Sequence, residues 1–119
     1  MVPLEPAHLV GAGGVVGALL RDFVSRAVDV EEFPLGTVTV NVLGTFGLGL
    51  FTFAGMNSDL LLFFGVGAMG SFTTFSSFAF ETVRLWETGE RARSVINAVG
   101  TLVGAGIALG IAWVLVQLF

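Results

Sequence analysis

Four long stretches with few charges decide what this chain can become: residues 9–28, 36–54, 60–86 and 94–119. Hydrocarbon about 30 Å thick takes roughly 20 apolar residues to cross as a helix. Each stretch is long enough, and the second and fourth carry no charged residue at all. The first is interrupted in its second half by Arg21 and Asp22, and Pro34 stands just ahead of the second, where it suits a helix start. The turn GMNSD, residues 55–59, joins the second to the third. With 119 residues and 55% of them hydrophobic, the chain has no polar surface with which to coat a water-soluble fold. The expectation is one all-α transmembrane domain over residues 1–119. Its linkers are short, so neighbouring helices run antiparallel in a single bundle.

Composition removes several functions. Without cysteine there is no disulfide or thiolate metal site, and with His8 as the one histidine there is no imidazole cluster. Net charge is −4 and lysine is absent, which excludes nucleic acid as a partner. Acidic loops without lysine also suit a high-salt organism, although a short chain can lack lysine by chance. No residues combine as nucleophile, base and orienting group, so the chain is not expected to be an enzyme. The opening MVPLEPAH has neither a basic segment nor a cleavage site and does not read as a signal peptide.

Charge placement predicts an orientation. Arg26 follows the first span, and Arg84, Arg91 and Arg93 flank the linker between the third and fourth. Arginine gathers on the cytoplasmic side, so the first and third loops are expected there, in the cell membrane, with both termini outside.

Seventeen glycines are more than ordinary packing uses. Gly13 and Gly17 lie four apart in GAGGVVGALL, with Gly14 and Ala18 at the same spacing, and Gly100/Gly104 and Gly106/Gly110 repeat it near the C-terminus. Small residues so spaced let helix backbones approach closely inside a membrane. GAGGVVG superficially matches a nucleotide-binding fingerprint, but Val16 replaces the third glycine and no strand precedes it.

Polar groups inside the apolar spans are the functional candidates, because they are costly there. Thr37, Thr39, Asn41 and Thr45 lie in the second span; Asn41 either bonds a neighbouring helix or faces water or a ligand. GSFTTFSSFAFE, residues 70–81, holds five hydroxyls and four phenylalanines after Gly65, Gly67 and Gly70. It reads as a helix break and restart, with freed carbonyls able to bind a cation. Phe72, Phe75 and Phe78 follow at three-residue steps, which puts Phe75 and Phe78 on nearly one face. Asn97 and Thr101 stand one turn apart in the fourth span. Arg21 either snorkels to the interface or lines a wet vestibule, and Glu81 can pair with Arg84.

The motifs GGVVGALLR (residues 13–21), GTVTVNVLGTF (36–46) and GSFTTFSSFAFE together resemble the CrcB/Fluc fluoride channels, across all four helices. The resemblance implies a dimer of four-helix subunits in opposite membrane orientations, with fluoride pores between them and a broken third helix. It implies a structural sodium ion held by the backbone carbonyls of Gly70 and Thr73. It further implies that Asn41 and Thr37 line the pore, that Phe75 and Phe78 form an aromatic pair beside it, and that Arg21 lies near its vestibule. Thr101 falls where the family has a fourth-helix serine. Hydroxyls and an amide suit fluoride, since they replace its water without a counter-charge to trap it. Phenyl edges can likewise face an anion. Ser71, beside the sodium position, and Asn97, where an aromatic hydroxyl is common, depart from the family pattern. One-sided arginines leave two assemblies open, a homodimer and a pair with an oppositely oriented homologous subunit. The rivals are a small multidrug-type exporter, which wants a carboxylate central in the first helix, and a structural subunit of a membrane complex.

Overall fold

A computed structural model describes residues 5–119. The residues Met1 to Leu4, half of the stretch read for a signal peptide, lie outside the described residues. Four helical spans among the described residues are long and apolar enough to cross a membrane.

Helix α1 (Pro6–Ala27) starts ahead of its apolar run because its first turn is capped. Pro6 occupies the first helical position, where no amide donor is missed, and the Glu5 N–H donates to His8 Nδ1 at 3.3 Å. Helix α2 (Leu35–Phe53) follows Pro34 as expected. Gly55, at φ +69°, turns the chain, and the Asn57 side chain accepts the Leu60 N–H at 3.0 Å. Helix α3 covers residues 58–72: α-helical over Ser58–Leu60, π-helical over Leu61–Met69, and α-helical again over Gly70–Phe72. Thr73 and Thr74 are extended, at φ/ψ −82°/160° and −148°/119°, before α4 (Phe75–Glu87) restarts the helix. Gly89, at φ +88°, ends it, and α5 (Arg91–Leu118) completes the chain.

The third span is therefore broken, but not at the glycines. Gly65 and Gly67 sit in the π-helical stretch and Gly70 is helical at φ −61° and ψ −36°. The glycines widen the helix by one residue, as the Gly70 N–H reaches back to the Gly65 C=O. The chain opens three residues later, at Thr73 and Thr74.

α1 packs mainly along α3, α2 along α5, and α4 along α5. Gly13 and Gly17 are buried, and a Cβ on either would collide with α3 backbone, at the carbonyls of Phe63 and Ala68. Gly67 answers from the other side, since a Cβ there would lie 2.6 Å from the Val10 carbonyl. Close approach thus accounts for the small residues of α1. The matching spacing in α5 is not used in this way: among the described residues a Cβ on Gly100, Gly106 or Gly110 would meet no neighbour, while one on Gly104 would touch Val42 of α2. The buried apolar core is small (Val40, Ala68, Phe72, Ala108 and Ala112), while Leu19, Phe23 and Leu102 point outward. Such a surface suits lipid as the surrounding solvent.

Candidate ion path along the second and broken third helices

Thr37, Asn41 and Thr45 recur every four residues and share one face of α2. Asn41 is the central member, and the break lies opposite it. Its Oδ1 accepts the Thr74 N–H at 2.7 Å and its Nδ2 donates to the Thr74 C=O at 3.0 Å. An extended residue presents both backbone groups to one side, so one carboxamide can pair with both, as a neighbouring strand would. One Nδ2 hydrogen has no acceptor among the described residues. Thr45 and Thr39 turn back onto their own helix, donating to the carbonyls of Asn41 at 2.6 Å and Leu35 at 2.8 Å.

One turn earlier, Thr37 Oγ1 donates to Glu81 Oε1 at 3.0 Å. Glu81 does not pair with Arg84; its other oxygen, Oε2, is buried without a partner among the described residues. Both residues line a recess of about 200 Å³, together with Ser25, Arg26, Asp29 and Ser77. A wider one, about 500 Å³, lies between the first and third loops and also reaches Glu81. The two loops share one end of the bundle, where Arg93 donates to the Glu32 carbonyl at 3.3 Å.

The remaining candidates divide. Phe75 and Phe78 form a tilted pair with centroids 6.1 Å apart, and Phe75 is 80% exposed. Phe72 is buried in α3 ahead of the break and does not continue their row. Arg21 is half-buried, without an ion pair among the described residues, and it lines neither recess. Asp22 pairs instead with Arg26, at 3.0 Å. Thr101 is buried, its Oγ1 unpartnered among the described residues. Asn97 is wholly buried and donates to Thr82 Oγ1 at 2.8 Å; Thr82 in turn donates to the Phe78 carbonyl at 2.7 Å. This relay ties α5 to the aromatic pair. Ser71 is turned away from the break, donating to the Gly14 carbonyl of α1 at 2.8 Å.

Two carbonyls at the break are poorly occupied. The Gly70 C=O accepts only the Thr73 hydroxyl, at 3.3 Å, outside the helical ladder, and no hydrogen bond among the described residues ends on the Thr73 C=O. Neutral carbonyl oxygens are the donor class that replaces the water of an alkali cation. No cluster of His, Cys, Asp and Glu able to hold a metal occurs among the described residues.

Sequence reasoning passed over Thr74 and Thr82. Thr74 carried a readable signal, a threonine immediately ahead of a restarting helix, and its Oγ1 accepts the Ser77 N–H at 3.2 Å. Thr82 carried none, because its importance comes from Asn97 on a different helix.

Residues 8–114 match the family model described as CrcB-like protein, Camphor Resistance (CrcB). The chain belongs to the CrcB family. Among its CrcB relatives is the fluoride-specific ion channel FluC 2 of Haloarcula marismortui, 58% identical over 118 residues, 99% of each chain. The fluoride-specific ion channel FluC 1 of Halobacterium salinarum is 47% identical over 111 residues, 93% of each. FluC of Thermotoga maritima, likewise named a fluoride-specific ion channel, is 41% identical over 102 residues, 78% of this chain and 80% of its own. The matched region contains every candidate residue described above. Membership and the four spans together make this a multi-pass membrane protein.

Proposed function

We propose that this chain forms a fluoride-specific ion channel through which fluoride leaves the cell, lowering its cytoplasmic concentration. The observation that carries the reading is the likeness, over 99% of both chains, to a relative named for that activity. The geometry supports it. The open recesses lead to Thr37 and Glu81, and Asn41 lies one helical turn further along the same face of α2. Asn41 keeps one N–H for an anion, and Phe75 and Phe78 offer ring edges. All these groups except Glu81 are neutral, so an ion that enters is stripped of water without being trapped.

The bundle is 21 Å across its thinnest dimension, about two helix diameters. A slab so thin has little room to enclose a path, which favours a pore completed by a second, oppositely oriented subunit, either a copy or a homologue. The Gly70 and Thr73 carbonyls fit a structural, non-transported sodium ion, to which they supply hard neutral oxygens. Arg26, Arg84, Arg91 and Arg93 favour cytoplasmic first and third loops and outward termini. The exporter alternative is disfavoured because its nearest carboxylate, Asp22, is exposed and already paired with Arg26.

Growth of cells lacking their own fluoride exporter tests the reading. Expression of the chain, alone or with an opposite-facing homologue, should restore growth in fluoride that arrests the empty strain. Arrest despite well-inserted protein in both cases would count against it.

A further inference from the structure

The broken span is held open by side chains. In an uninterrupted α-helix the Thr74 N–H would donate to the Gly70 C=O, and the Ser77 N–H to the Thr73 C=O. Both donors are diverted: Thr74 N–H goes to Asn41 Oδ1 at 2.7 Å, and Ser77 N–H to Thr74 Oγ1 at 3.2 Å. The carbonyls they abandon, Gly70 and Thr73, are left with free acceptor capacity at the break. Glycine does not explain this, because Gly70 is helical and, among the described residues, the nearest packing partner of a Cβ there would be the Gly65 carbonyl oxygen, at 4.0 Å.

We infer that Asn41 and Thr74 are positioning residues of the cation site, each withdrawing the backbone donor that would otherwise close over one carbonyl, Gly70 or Thr73. The inference rests on the sodium reading above. Asn41 also sets direction. Across a trans peptide the N–H and C=O point opposite ways, so fixing the Thr74 N–H toward α2 aims the Thr73 C=O away from it. The second Asn41 bond, to the Thr74 C=O at 3.0 Å, prevents the pair from rotating. Without Asn41 the Thr74 N–H and C=O would be unpaired at membrane depth. Closing the helix is the available way to satisfy them. Asn41 therefore serves the anion path with its spare N–H and the cation site with its oxygen.

Thermal unfolding of the full chain in detergent reads cation occupancy without transport. It is compared in sodium chloride and in N-methylglucamine chloride of equal ionic strength. The unaltered chain should be stabilised by sodium in a saturable way. Asn41→Val and Thr74→Val should each need about tenfold more sodium for half that effect, the equivalent of about 1.4 kcal/mol. Thr74→Ser keeps the accepting hydroxyl and should keep the sodium response of the unaltered chain. Unchanged sodium dependence in the valine variants would overturn the positioning role. If Asn41→Val does not fold, Thr74→Val, which preserves the threonine shape, decides alone. An unaltered chain indifferent to sodium would overturn the sodium reading, and this inference with it.

Discussion

Asn41 shows how a residue's cost predicts that it matters without predicting how. A carboxamide within an apolar span must find partners. Its helical position gave the face it occupies, but its partner is Thr74, 33 residues along the chain. No periodicity brings those positions together. The same limit applies to Asn97, whose partner Thr82 lies on another helix, and to Ser71, which faces α1 and not the break. Three-residue spacing permits Glu81 to pair with Arg84, whereas its bond is to Thr37, across helices. That bond makes a prediction at this scale. Thr37→Val keeps the shape but removes the donor to a part-buried carboxylate, and should lower stability by about 1–3 kcal/mol. Thr37→Ser should restore most of it. Thermal melts of the two variants check this, and a Thr37→Val melt equal to that of the unaltered chain would contradict the pairing.

The same glycine spacing occurs in α1 and α5, yet among the described residues both members of a pair press against another helix in α1, at Gly13 and Gly17, whereas in α5 Gly104 alone does so. Spacing reports that a face is smooth, not which surface will meet it. Gly17→Ala should therefore force the α1–α3 contact apart and cost about 1–3 kcal/mol. Gly110→Ala, with open space around it, should instead gain up to about 1 kcal/mol of helix propensity in the isolated chain. Equal effects of the two, measured by unfolding in one detergent, would contradict the packing described. The third span teaches the complementary lesson. Its glycine cluster made a break legible in the sequence, and a break exists, but Gly65 and Gly67 lie inside a π-helical stretch and Gly70 at its end. The opening falls at Thr73 and Thr74, where side chains supply replacement partners for the backbone.

Membrane character and the number of spans were legible in the whole chain because they depend on summed hydrophobicity, which needs no knowledge of contacts. Each observed helix end falls within three residues of the expected one, and the largest differences come from a cap at Pro6 and from charged residues absorbed at Arg91. The expected orientation rests on four arginines, Arg26, Arg84, Arg91 and Arg93, gathered at one end. Topology reporters fused to each end should place both termini outside. A single orientation implies an oppositely facing homologous partner; an even mixture implies a homodimer and contradicts the expected orientation.

The central claim, that polar groups on α2 and the aromatic pair beside the break form a path for fluoride, is tested most directly by ion efflux. Liposomes are loaded with potassium fluoride or potassium chloride. They carry this chain, with its opposite-facing homologue if single orientation is found, and sodium is present. Electrodes specific for each anion then follow release. The account predicts fast release of fluoride and retention of chloride, with Phe78→Ile slowing fluoride release. Retention of both anions by well-folded protein in either assembly, or release of both alike, would contradict it.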